Sequence, residues 1–78
     1  MSNTLHARRL NHGQSEVWLA DEGKRRVVAT NAVYSAVRTH CSKEVFDAFY
    51  NATQSKLGTV AEVFAAGTIA TDLGLMNG

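Results

Sequence analysis

The chain has 78 residues, one cysteine and a formal net charge of +1. That length predicts one domain over residues 1–78. Its core is small, so a disulfide, a metal or self-association would be needed to raise its stability. Cys41 alone excludes an intrachain disulfide and a cysteine-rich zinc site, so self-association remains. No run of about 18 apolar residues and no apolar signal core occur, so we expect a cytoplasmic protein that does not bind membranes.

The charges are distributed unevenly along the chain. Residues 1–43 carry seven Lys or Arg side chains against three carboxylates, whereas residues 44–78 carry one against four. An anionic partner should therefore meet the N-terminal half, although ordinary scatter of surface charge accounts for the same counts.

The N-terminal half begins with a polar segment and continues with a β-prone one. Residues 1–13 lack a pattern, which predicts a flexible arm. Residues 15–20 and 25–30 are β-prone and flank the turn residues 21–24, which predicts a hairpin. The side chains expected to contact an anion or a partner are basic or aromatic: Trp18, Lys24, Arg25, Arg26 and Tyr34. Trp18 equally fits a core position, and a charged hairpin tip is commonly only solubilising.

The segment from residue 31 to residue 41 fits two structures. As a strand, it places Val33, Val37 and Cys41 on one face. As a helix, it begins at the cap Thr30 and places Val33, Tyr34 and Val37 on one stripe. Its β-branched residues slightly favour the strand, so residues 14–41 are predicted to be a β-rich basic segment, with the helix left open.

Residues 42–78 predict a two-helix unit. Ser42 suits the N-cap of a first helix and Gly58 its left-handed end. Thr59 and Glu62 have the spacing of a capping box, so a second helix should begin at Val60 and end near residue 74.

This second helix is apolar almost all round. Between residues 60 and 70 only Glu62 and Thr68 are polar, and such a helix needs cover on several sides. We therefore expect a homodimer through the C-terminal helix; the alternative is a central helix wrapped by the hairpin and the first helix. The expected interface residues are apolar or small: Val63, Ala66, Gly67, Ile69 and Leu73. The predicted fold class is α+β, a small β-hairpin or ribbon followed by two or three helices.

Catalytic chemistry is not indicated. His6, His12 and His40 are scattered, and the sequence lacks both paired carboxylates and a phosphate-binding glycine loop. If residues 40 and 41 lie on a strand, a Cys41–His40 dyad has poor geometry, because neighbours there point to opposite faces. We expect no enzyme, no catalytic residue, no metal, no cofactor and no small-molecule substrate.

An alternating segment, residues 37–41, precedes the cap Ser42, and the second cap, Thr59, follows 17 residues later. This order over residues 37–75 resembles the ribbon-helix-helix family of Arc- and MetJ-like repressors. The resemblance implies a small dimeric transcriptional regulator whose paired strands enter the major groove of double-stranded DNA. The residues it implies for DNA contact are Ala36, Arg38 and His40 toward bases, and Thr59 and Val60 toward phosphate.

A second function class fits the same composition. Arg, Trp and Tyr are frequent anchors of protein interfaces. The alternative is therefore a small regulator or inhibitor that docks on a larger protein through its basic and aromatic N-terminal half.

Overall fold

The computed structural model describes residues 4–20, 25–64 and 66–75. Its elements in chain order are β1 (Leu5–Arg9), β2 (Gln14–Leu19), β3 (Arg25–Ala29), α1 (Thr30–His40), α2 (Lys43–Ser55), β4 (Ala61–Val63) and α3 (Ala66–Asp72). The strands form one antiparallel sheet in the order β3-β2-β1-β4. The α+β class is therefore as predicted, and within the described ranges no helix is long and apolar enough to cross a membrane.

One face of the sheet packs under the helices, and no described helix covers the other face. Along β1 and β2 buried residues alternate with half-buried ones, which is the pattern of a sheet covered on one side. The covered side and the helices share a core of apolar side chains: Leu5, Ala7, Val17, Leu19, Val33, Ala36, Val37, Phe49, Ala61, Val63, Ile69, Ala70, Leu73 and Leu75.

The predicted flexible arm is wrong for residues 5–9, which form β1 in the interior of the sheet. Leu5 and Ala7 are buried, but two small apolar anchors among polar residues give a weak strand signal in sequence. The turn into β2 is closed by Asn11, whose side-chain oxygen accepts from the backbone N–H of Gly13 and Gln14 at 2.9 Å each. Residues 1–3 lie outside the described ranges.

The predicted hairpin is confirmed. β2 and β3 pair antiparallel, from Gln14 opposite Ala29 to Trp18 opposite Arg25. Its tip, residues 21–24, lies outside the described ranges and includes the predicted contact residue Lys24.

The ambiguous segment is a helix, so the slightly favoured strand is wrong. α1 begins directly after β3, with Ala29 rather than Thr30 as its N-cap residue. Val33 and Val37 are buried in the core, and this packing of the helical stripe outweighs the modest β-preference of the valines. Residues 37–41 therefore form no ribbon of paired strands.

The first helix of the two-helix unit is confirmed as α2. The Ser42 hydroxyl accepts from the backbone N–H of Val45 at 3.3 Å, and Glu44 lies in the first turn. Gly58 has a φ of +85°, and its N–H donates to the Arg9 carbonyl at 2.8 Å. The chain leaving α2 is thereby tied to the end of β1.

The continuous second helix is wrong in its first half. Residues 61–63 form the edge strand β4 against β1, and α3 begins at Ala66. The predicted end is confirmed: Gly74 has a φ of +76°, and Leu75 N–H donates to the Ala70 carbonyl at 2.8 Å in a Schellman motif. The capping-box pattern wrongly predicted a helix start at residue 60. Residues 61–63 instead alternate between buried and exposed, as in a strand.

The apolar tail is covered by its own chain. Val63, Ile69 and Leu73 are 1%, 0% and 4% exposed within the protomer, so their assignment to a dimer interface is wrong. The wrapped arrangement that the sequence left open explains their character. The side chains of Ala66 and Gly67 lie outside the described part.

Candidate docking face of the sheet

One transverse row of side chains crosses the uncovered side of the sheet. The strand registers place Glu62 of β4 opposite His6 of β1, His6 opposite Trp18 of β2, and Trp18 opposite Arg25 of β3. Side chains directly opposite each other on neighbouring strands contact one another. We call this uncovered side the open face; its described side chains include His6, Arg8, Glu16, Trp18, Arg25, Val27 and Glu62.

Trp18 is held between its two neighbours in the row. The His6 ring stacks on it with centroids 5.6 Å apart and planes 8° apart, and the Arg25 guanidinium carbon lies 4.2 Å from the indole centroid. Because β1 and β3 flank β2 on opposite sides, His6 and Arg25 approach the indole from opposite directions. The stack and the cation–π contact each contribute roughly 0.5–1 kcal/mol.

Two arginines share one carboxylate in the next row. Glu16 Oε1 accepts from Arg8 Nε at 2.9 Å and from Arg25 Nη1 at 3.2 Å. Partial desolvation acts to raise the pKa of the Glu16 carboxyl, but the hydrogen bonds from Arg25 and Arg8 and their charges lower it below its ordinary value. The Arg8 and Arg25 side chains are 39% and 51% exposed against 17% for Glu16, so the charge facing solvent is positive.

The two edges of the open face differ in character. At the β4 edge, Glu62 Oε1 lies 3.7 Å from His6 Nδ1 and its side chain is 66% exposed. Phe64, which follows β4, is 77% exposed. Val27 on β3 is 51% exposed. The open face thus combines a cationic side, an acidic edge and exposed apolar groups.

The predicted contact residues are only partly brought together. Trp18 and Arg25 meet on the open face, whereas Arg26 points the other way on β3 and lies against Gly74, where an added Cβ would come within 3.2 Å of its guanidinium carbon. Tyr34 belongs to the helical layer, where its hydroxyl bonds to Thr53. The sequence interpretation missed His6, Arg8 and Glu16; the alternation of polar and apolar residues in β1 was the available signal.

The residues implied for DNA contact are not arranged as the resemblance requires. Ala36 is 6% exposed, so its outward orientation is wrong; the turn of α1 directs it into the core. Arg38 and His40 are exposed, with His40 Nε2 2.7 Å from Asp72 Oδ2. Thr59 and Val60 precede a strand and therefore provide no helix N-terminus for phosphate.

A separate cleft lies where α1 meets α2. It has a volume of about 490 Å³ and is lined by Arg38, Cys41, Ser42, Lys43, Phe46 and Asp47. Lys43 Nζ lies 3.8 Å from Asp47 Oδ2. Burial raises the pKa of the Cys41 thiol, which suits a packing role rather than a nucleophile.

Within residues 4–20, 25–64 and 66–75, no group of three or more His, Cys, Asp or Glu side chains is placed to hold a metal ion. Comparison with models of protein families, with curated proteins and with solved structures finds no match to this chain.

Proposed function

We propose that this chain is a small protein-binding module that docks on a larger protein through the open face of its sheet. The observation that supports it is the row His6–Trp18–Arg25, an aromatic and cationic ridge on the face that no described helix covers. Trp and Arg are enriched among the residues that anchor protein interfaces.

The state of Trp18 favours a protein partner over single-stranded nucleic acid. Bases bind by stacking on a free aromatic face, whereas His6 and Arg25 already approach this indole from opposite directions. A protein surface can bind the guanidinium groups without disturbing this stack, because the Arg8 and Arg25 side chains are 39% and 51% exposed.

The charges of the open face specify the partner's chemistry. Arg8 and Arg25 lie outermost above Glu16, so the complementary surface carries carboxylates opposite β1–β3. Val27 adds an exposed apolar contact at the same side. The partner is thus an acidic surface with an apolar group opposite Val27.

Affinity capture with matched variants tests this proposal. Immobilised wild-type chain should retain one protein in stoichiometric amount from an extract of its host, and added DNA or RNA should not displace it. Trp18→Ala and Arg25→Glu should each lose the retained protein, while Tyr50→Ala, on the helical side and 40% exposed, should keep it. Retention by all variants alike would refute the docking face.

A DNA-binding regulator is the second candidate function. It would contact DNA through its helices, because residues 37–40 form no β-ribbon. It is favoured by the cleft between α1 and α2, where the exposed Arg38 and Lys43 flank the N-terminus of α2 and phosphate would be accommodated. Duplex selection at low salt should then enrich one sequence, with binding that weakens steeply with salt and is lost in Arg38→Ala. Selection that enriches nothing would remove this candidate.

A further inference from the structure

Arg9 is buried on the covered side of the sheet, and no carboxylate of the described residues pairs with it. The residue is 8% exposed, and its Nε has no hydrogen-bond partner among the described residues. Its Nη2 lies 3.5 Å from Nδ1 of His12. An imidazole is neutral or positive, so it does not neutralise the guanidinium, and a buried cation without an anion is costly.

The described carboxylates are all placed elsewhere. Glu16 is shared by the arginines of the open face, and Glu62 lies beside His6. The remaining ones belong to the helices: Glu44 and Asp47 in α2 and Asp72 in α3. The described ranges thus supply no anion for Arg9.

The N-terminus of α1 approaches the same place. Arg9 pairs with Ser15 across β1 and β2, and the Ser15 hydroxyl lies 2.8 Å from that of Thr30, the first residue of α1. No side chain of the described residues caps this 11-residue helix, and no acid lies in its first turn. The N–H of Thr30 donates to the Gly13 carbonyl at 3.0 Å, so the helix offers an anion the N–H groups of Asn31 and Ala32 and the positive end of its dipole.

The cavity around Arg9 limits where an anion can bind. Arg9 and Ser15 line a cavity with Val33, Tyr34 and Thr53, and this cavity leaves no room for a water molecule. Solvent therefore does not satisfy Nε inside it. An anion therefore stays outside the cavity and binds at its mouth, where Arg9 Nη2 lies 3.5 Å from Nδ1 of the exposed His12.

We infer that Arg9, together with His12 and the N-terminus of α1, binds a small oxyanion, a phosphate or carboxylate group. Guanidinium groups bind both through paired N–H donors, and helix N-termini favour the same ligands. This site lies on the opposite side of the sheet from the open face, so it does not depend on the proposed docking function.

Titration of the intact chain tests the inference. Inorganic phosphate and acetate are added separately, with sodium chloride at matched ionic strength as reference, while Tm and the ¹H–¹⁵N resonances are followed. At about five times the dissociation constant, the effective anion should raise Tm by roughly 4–8 °C. The Nε–Hε signal of Arg9 and the amide signals of Asn31 and Ala32 should shift together, and the two arms distinguish phosphate from carboxylate.

A pair of variants identifies the residue responsible. Arg9→Met should abolish the anion-dependent rise in Tm while keeping or raising the Tm in chloride, because it removes an unpaired buried charge. Arg38→Met, on the exposed surface of α1, should respond like wild type. Equal effects of phosphate, acetate and chloride on the wild-type chain would overturn the inference, as would an undiminished response in Arg9→Met. If Arg9→Met does not fold, the wild-type resonances decide.

Discussion

The two sides of the sheet treat their arginines in opposite ways. On the open face, Arg8 and Arg25 are partly exposed and share the carboxylate of Glu16. On the covered side, Arg9, the next residue after Arg8, is nine-tenths buried and its Nε has no described partner. Neighbouring residues of one strand thus have opposite environments because successive side chains point to opposite sides. The two proposals rest on this difference: protein docking on the open face and binding of a small anion on the covered side.

The largest expected effect comes from introducing a charge on the covered side. Val17 is 0% exposed, so Val17→Asp should lower the free energy of unfolding by about 4 kcal/mol or more and leave little folded protein. The neighbouring Glu16 already carries a carboxylate on the open face of the same strand. Urea denaturation of Val17→Asp beside Glu16→Asp checks this contrast, and similar midpoints for the two would show that the sides are wrongly assigned.

A smaller effect is expected at the centre of the open face. Trp18→Ala removes the contacts with His6 and Arg25 and should cost about 1–2 kcal/mol, while the fold persists because the helical core is untouched. Chemical denaturation measures the loss, and circular dichroism should show the secondary structure retained. A collapse of the fold would mean that Trp18 is a core residue, as the sequence alone also allowed.

The smallest effect concerns pH. The arginines lower the pKa of the Glu16 carboxyl in the folded chain, so the unfolded chain binds a proton more readily there. The stabilisation is therefore present above the ordinary carboxyl pKa, about 4.3, and is lost as pH falls through the lowered value. Glu16→Gln should lower Tm slightly at pH 7 and lose that part of the acid dependence. A wild-type and variant difference in Tm that stays constant from about pH 6 to pH 3 would contradict this account.

The sequence predicted those elements whose signals are local. Ser42 and Gly58 marked the region of α2 because capping and left-handed backbone depend on one or two residues. The hairpin of β2 and β3 likewise followed from β-prone runs around turn residues. These elements would be predicted in almost any tertiary context.

The remaining elements depend on contacts between distant parts of the chain. Residues 61–63 form a strand because they pair with the edge of β1. Residues 30–40 form a helix because their apolar stripe packs on the sheet. The open face was predicted only in part. Trp18 and Arg25 were named as contact residues, but His6 was missed because β1 was assigned to a flexible arm. The predicted DNA-binding ribbon was wrong because it required residues 37–41 to form a strand, whereas residues 37–40 belong to α1.

Site-specific photo-crosslinking tests the docking face most directly. A photoreactive amino acid replaces Val27 on the open face in one protein and Tyr50 on the helical side in another; the two positions are 51% and 40% exposed. After irradiation in host extract, the account predicts one discrete cross-linked protein from position 27 and none from position 50. A discrete adduct from position 50 alone, or none from either position, would contradict it.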